Sequence, residues 1–423
     1  MHALSTLFTI ALLPAAALAA PAPVEKPAAV RLTGRTPDSS LTLEQTVAHA
    51  ASRLPNLSGY DLKKPTLSKK QKRATVQLKN LIQTGNNYVT HAGTIRMGAP
   101  QQDVSVLFDT GSADLVMPIT CQNGCPNGFF NTTKSRTFGK LSTEIVGGVY
   151  AGGSSFSGYV ARDHVAAPGT NTLQSFIAVT DASLVGDTNW AGILGLQYHG
   201  QSNIQNGVSL TDKLVADGAL PSNLFSMYFS RTTDGSELVL GGIDAAHYSG
   251  DLTSLYSFDA PYWSAYGLGF SVNGATVETT QTVAVFDSGT NANVVPRQVA
   301  AAIYAQISGA NVTGTTTIGA FGEADVYQFP CSAAASVGLS FLTPDGDVAT
   351  FNMQPSDFIF RKERRAAIKT PEICSGSFFG LDYDAGGMLA SLYGTPLMRS
   401  FYTVFSYGAD GKSPSVSLAT SKA

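Results

Sequence analysis

Two short blocks constrain this chain more than anything else in it: Asp109-Thr110-Gly111-Ser112 and Asp287-Ser288-Gly289-Thr290. Each follows apolar residues, Leu107-Phe108 and Val285-Phe286. Each then runs into an apolar stretch closed by proline, Leu115-Val116-Met117-Pro118 and Val294-Val295-Pro296. One offset of 178 residues carries Asp109 onto Asp287 and Pro118 onto Pro296. An apolar strand that ends in Asp-Ser/Thr-Gly puts a carboxylate at a tight turn, where glycine is expected to supply backbone angles that a Cβ resists. Two copies of one device predict two similar halves meeting at a shared site.

A length of 423 residues exceeds what one core usually serves, which agrees with two lobes. The local pattern is that of strands. Residues 88–97 alternate up to a turn at Gly98-Ala99-Pro100, and 104–108 lead into Asp109. Further short β-rich runs occur at 225–229, 238–240 and 401–405, while helical spacing is confined to 210–217 and 297–306. The expected fold class is mostly β, with an N-terminal lobe at 74–250 and a C-terminal lobe at 251–423.

If a pseudo-twofold axis relates the halves, Asp109 and Asp287 meet face to face. Like charges that close do not both ionise readily, so one proton is shared between them. The neighbouring hydroxyls can donate hydrogen bonds that orient the carboxylates. A water between the pair can lose a proton to one carboxylate while the other protonates a carbonyl oxygen. The chemistry is addition of water to an amide without a covalent intermediate, and it calls for no cofactor.

The ends of the chain read differently from its body. Residues 1–20 carry an apolar stretch ending in Ala17-Leu18-Ala19, the pattern of a secretory signal peptide with a small-x-small cleavage site. Residues 21–73 hold ten basic and four acidic residues, a net of +6. That leaves 17 basic and 26 acidic residues, a net of −9, for 74–423. A basic leader on an acidic body, ending in Lys72-Arg73, is expected to be a prosegment held by charge and cut after the dibasic pair. Acid protonates the carboxylates and weakens that attraction.

Later segments are too short and interrupted to span a bilayer, so no membrane anchor is expected and the mature protein is expected outside the cell. Four cysteines allow three pairings. In an oxidising compartment the nested local one, Cys121–Cys125 with Cys331–Cys374, is the most economical. The six histidines lack H-x3-5-H spacing, so no metal site is expected. Asn131-Thr132-Thr133 and Asn311-Val312-Thr313 are glycosylation sequons in the body of the chain.

These motifs resemble those of the pepsin-type aspartic endopeptidases, in particular the secreted fungal branch, over essentially all of 74–423. Gly192-Ile193-Leu194-Gly195-Leu196 is similar to that family's internal apolar-apolar-Gly segment. Residues 150–158, beginning Tyr150-Ala151-Gly152-Gly153, resemble its flap hairpin. Leu240-Gly241-Gly242-Ile243-Asp244, Tyr262-Trp263 and Gly394-Thr395-Pro396-Leu397 resemble segments that follow in family order.

The resemblance implies a bilobal fold with a cleft between the lobes, and Asp109 and Asp287 as the catalytic pair. Thr110, Gly111, Ser112, Ser288, Gly289 and Thr290 would support the pair, with Ser112 and Thr290 bonding the outer carboxylate oxygens. Tyr150, Gly152 and Gly153 would lie on a flap that closes over substrate. It further implies polypeptide substrates with bulky hydrophobic residues around the cut, inhibition by pepstatin-type compounds, synthesis as a zymogen, acidic working pH and a monomer. Four positions depart from the family pattern: Val116 replaces a Trp whose indole bonds the flap Tyr, Gly152 replaces Asp or Thr, and Ala191 and Thr395 replace Asp.

Rival chemistries find little support. There is no G-x-S-x-G and no H-E-x-x-H. The basic run 361–365 sits in an acidic body, which argues for a solvated loop and against a nucleic-acid partner. A catalytically silent peptide-binding relative would be expected to have lost one aspartate, and both are present.

Overall fold

The computed structural model describes residues 74–82, 89–120, 128–150, 155–182, 191–198, 202–232, 234–257, 262–318, 321–363, 372–384, 388–409, 411 and 413–422. The signal peptide, the prosegment with Lys72 and Arg73, Cys121, Cys125, Gly152 and Gly153 fall outside these residues.

Strands dominate, in two large sheets. The 13-stranded sheet takes every strand from Ala74–Ile82 to Tyr248–Ser254 and also the last two, Phe401–Ser406 and Ser415–Ser421. The 12-stranded sheet takes the strands from Ser264–Val272 to Ala390–Tyr393. The chain therefore leaves the first sheet once and comes back to it at its end. Four short α-helices are described, at Leu210–Ala216, Arg297–Ala305, Pro355–Phe358 and Thr395–Ser400. In Arg297–Ala305 the buried side chains are Val299, Ala300, Ile303 and Tyr304, the one-face spacing that lets so short a helix hold by packing.

The segments that carry the two sequence blocks are built alike. The strand Gln102–Asp109 runs parallel to Gly192–Gly195, with Asp109 opposite Gly195, and Leu115–Pro118 pairs antiparallel with the same segment. In the second sheet Thr282–Phe286 runs parallel to Ala390–Tyr393, and Asn293–Val295 pairs antiparallel with it. Each aspartate thus lies at a strand end, beside a four-residue strand that accepts neighbours on both sides. Gly192–Gly195 is buried across its length, which explains why it reads as a continuous apolar run, while Ala390–Tyr393 is buried except at Leu392.

Trp263 bolts the halves together. Its indole N–H donates to the Leu196 carbonyl at 2.8 Å, and its ring sits among Tyr198, Phe225, Phe405 and Tyr407 at centroid distances of 5.0–5.5 Å. The Leu196 N–H in turn donates to the Asp109 carbonyl at 2.7 Å. At the other end of the second sheet, Cys331 and Cys374 form a disulfide across the register Phe329↔Cys374 and Pro330↔Ile373. Asn131 precedes a 3-10 turn, where its side-chain oxygen accepts from the Thr133 N–H and hydroxyl; Asn311 opens the strand Asn311–Ile318 and is exposed.

Candidate active site

Asp109 and Asp287 are both 0% exposed, and their hydrogen bonds match atom for atom. The Gly111 N–H donates to Asp109 Oδ1 at 2.9 Å, and the Gly289 N–H to Asp287 Oδ1 at 2.8 Å. The Ser112 hydroxyl donates to Asp109 Oδ2 at 2.5 Å, and the Thr290 hydroxyl to Asp287 Oδ2 at 2.7 Å. Two donors per carboxylate fix its plane and leave its remaining lone pairs for a reactant.

The residue after each aspartate locks the loops to one another. The Thr110 N–H donates to Ser288 Oγ at 3.0 Å, and the Ser288 N–H to Thr110 Oγ1 at 2.9 Å. Each hydroxyl then donates onward across the halves, Thr110 to the Phe286 carbonyl at 2.9 Å and Ser288 to the Phe108 carbonyl at 2.8 Å. All four bonds are buried, so none competes with water.

The glycines serve a different purpose from the one expected. Neither Gly111 nor Gly289 has a positive φ, so their backbone angles are open to other residues. What they supply is room. A Cβ on Gly111 would lie 2.6 Å from the Asp287 carboxyl, and one on Gly289 would overlap the Asp109 carboxyl. The turn motif demands glycine because two carboxylates have to approach each other over it.

That approach sets the electrostatics. Burial raises the Asp109 pKa, against the hydrogen bonds from Ser112, Asp287 and Gly111 that lower it. Burial raises Asp287 well above the usual carboxylate range, and the negative charge of Asp109 adds to it. The pair holds one proton at pH values where separate carboxylates would have lost theirs. A buried acid beside a buried base, both aimed by fixed donors, can deprotonate a water and protonate a carbonyl oxygen in one assembly.

Tyr150 directly follows the strand Gly139–Val149. Its ring is fully buried with Val116, Phe156, Val160, Ile177 and Ile193. Val116 occupies the departure noted in the sequence, and among the described residues the Tyr150 hydroxyl has no hydrogen-bond partner. Its pKa is pushed well up, first by burial and then by the charges of Asp109 and Asp114. Tyr150 therefore lies in the electrostatic field of Asp109. Thr395 touches the site through the backbone, its N–H donating to the Thr290 carbonyl at 2.7 Å.

Two features of the site went unnoticed in the sequence. Asp114 is 2% exposed and accepts from the Ser202 hydroxyl at 2.5 Å, the Asn203 N–H at 2.8 Å and the Asn203 side-chain amide at 3.0 Å. The signal was available: a lone charge in an apolar run, where the second block has Ala292. Gln197, 2% exposed, donates its N–H to the Ser112 carbonyl at 2.9 Å, and its side chain meets the Tyr262 hydroxyl, which also feels the Asp287 charge. No local pattern announces that contact, because it forms only when the sheets meet.

Comparison with known proteins agrees with this chemistry. The family model described as eukaryotic aspartyl protease matches residues 90–420. An aspartic protease of Phaffia rhodozyma is 35% identical over 282 residues, 64% of this chain and 68% of that protein. The major aspartyl peptidase 1 of Cryptococcus neoformans is 27% identical over 80% of this chain and 70% of its own length. Pepsin A of Sus scrofa is 29% identical over 74% and 77% of the two chains. The matched span takes in both aspartates and nearly all of both sheets, and so the chain belongs to the eukaryotic aspartyl protease family and is an aspartic-type endopeptidase.

Proposed function

We propose that Asp109 and Asp287 are the catalytic pair and that the protein is a secreted, acid-working endopeptidase made as a zymogen. The observation that carries this reading is the buried carboxylate pair facing each other between matched sets of donors. The ionised member takes a proton from water as its oxygen bonds to the peptide carbonyl carbon, and the protonated member gives its proton to the carbonyl oxygen. Collapse of the tetrahedral adduct breaks the C–N bond as the amine nitrogen gains the proton first taken from water, and the other carboxylate recovers its proton from the adduct hydroxyl. Ser112 and Thr290 orient the outer carboxylate oxygens, and Thr110 and Ser288 hold the loops together. Tyr150 would close over the substrate from the strand end next to Gly152 and Gly153 and exclude water.

Acidic working pH rests on the basic leader, whose hold on the acidic body weakens as carboxylates are protonated. Secretion rests on the signal-like residues 1–20, the Cys331–Cys374 disulfide and the sequons at Asn131 and Asn311. Zymogen synthesis rests on the +6 leader, ending in Lys72-Arg73, against the −9 body. The expected substrates are polypeptides with bulky hydrophobic residues at the cut, cleaved by a monomer and blocked by pepstatin-type inhibitors.

The test is expression of the full chain, acidification, and incubation with denatured globin. Removal of residues 21–73 and pepstatin-sensitive cleavage are expected. Acid-treated protein that binds pepstatin and cuts nothing in a diverse peptide library would overturn the catalytic reading and leave a peptide-binding module.

A further inference from the structure

We propose that Glu237, Asp244 and His247 form a binding site for a divalent transition-metal ion of the zinc type. One ligand-type atom from each lies within 4.8 Å of the other two. Glu237 stands on the strand Ser236–Leu240; Asp244 caps the 3-10 turn Ala245–His247 that follows it, and His247 is the last residue of that turn. Linear spacing does not reveal this cluster, since the strand end and the turn bring together residues seven and ten positions apart.

The side chains are already held in place. The His247 ring stacks on Tyr228, with centroids 4.1 Å apart and planes at 14°. Its Nε2 lies 3.2 Å from Glu237 Oε2. Gln77 donates to the other Glu237 oxygen at 2.7 Å, which fixes the carboxylate plane. Oε2 itself is buried and, among the described residues, has no hydrogen-bond partner beyond the His247 ring that faces it. Asp244 Oδ1 accepts the Ala246 N–H at 2.9 Å, so this carboxylate too has a set orientation.

Tetrahedral bonds of about 2.0–2.1 Å place ligand atoms roughly 3.3 Å apart, and the His247–Glu237 pair stands at that spacing. One imidazole and two carboxylates are a borderline donor set that suits zinc and its neighbours, with a fourth position left for water. Calcium and magnesium prefer all-oxygen sets. The ion would offset two carboxylates gathered at one spot, which a single imidazole does only in part.

The site would act as a brace. The Lys422 N–H donates to the His247 carbonyl at 2.9 Å, the Tyr228 hydroxyl to the Lys422 carbonyl at 3.0 Å, and Lys422 Nζ to the Ala245 carbonyl at 3.2 Å. An ion on the turn would stiffen the place where the returning final strand is tied down.

Calorimetric titration of the chelator-stripped full-length protein with zinc chloride, at about pH 7.5 where imidazole binds metal, tests this. One saturable zinc per chain is expected, with Tm raised by several degrees at a large excess of zinc. Glu237→Gln, which keeps an oxygen for Gln77, and His247→Gln are each expected to weaken binding at least about tenfold and to remove the Tm shift. Calcium and magnesium are expected to give no shift. No saturable zinc binding in the parent, or equal binding in parent and both variants, overturns the proposal. Variants that lower Tm without zinc, beside a parent indifferent to zinc, identify a plain ion pair and overturn it as well.

Discussion

The loops at Asp109 and Asp287 are alike in front and unlike behind. In front, each carboxylate takes one backbone N–H and one hydroxyl, and each loop hands the other an N–H and a hydroxyl. Behind, the first loop rests on Asp114 with its three donors and lies near the Tyr150 hydroxyl, which has no partner among the described residues. The position 178 residues on from Asp114 is Ala292, buried in an apolar cluster with Val294, Ile318, Phe379 and Leu381. Symmetry is kept where the chemistry needs two equal groups and is abandoned one layer back. The front layer therefore reports on reaction, and the back layer on how each half is supported.

The severest test of equality in front is Asp287→Asn beside Asp109→Asn. Each should lower kcat by about 10³–10⁴-fold with the fold intact by circular dichroism; substantial activity in one of them would mean the pair is not the catalytic unit. Next come Thr110→Val and Ser288→Ala. Each leaves one N–H and one carbonyl buried without partners, and each should cost about 2–4 kcal/mol in denaturant unfolding. A difference above about 1 kcal/mol between them would break the equivalence of the interlock.

Behind the loops the predicted effects are smaller and one-sided. Burial raises the Asp114 pKa, so its folded-state contribution is fully present below the unfolded carboxylate pKa and is lost as pH rises through the raised value. Asn mimics the protonated form. Asp114→Asn should therefore gain on the parent in Tm as pH is raised from acid toward neutral, while Ala292→Gly shows no such pH trend. Tyr150→Phe is the mildest change. A hydroxyl without a partner contributes no bond, so Tm should stay level or rise slightly. A drop of more than about 1 kcal/mol would reveal a partner for it. A fall in kcat/KM with Tm unchanged would assign the hydroxyl to substrate.

The front layer was legible in the sequence because it is local. Asp-Thr-Gly-Ser and Asp-Ser-Gly-Thr each contain their own donors, two and three residues from the carboxylate. The mostly-β class was legible for the same reason, and the helix at Arg297–Ala305 could be read from its spacing after Pro296. What could not be read was made by distance. The Thr110–Ser288 exchange spans 178 residues, and Trp263 reaches Leu196 across 67. The reason for Gly111 and Gly289 was misread because local rules consider the angles of one residue, while the obstacle is a side chain from the other half.

The return of the final strands to the first sheet bears on how the protein is made. In that sheet the order runs Tyr248–Ser254, Ser415–Ser421, Phe401–Ser406, Leu224–Tyr228. Among the described residues, Tyr248–Ser254 pairs only with a strand translated some 160 residues later. On the ribosome the first half must wait with an open sheet edge until the last residues have emerged, a slow closure of long sequence separation. Loss of the last strand to a late stop codon would therefore strip the half of the molecule that was synthesised first.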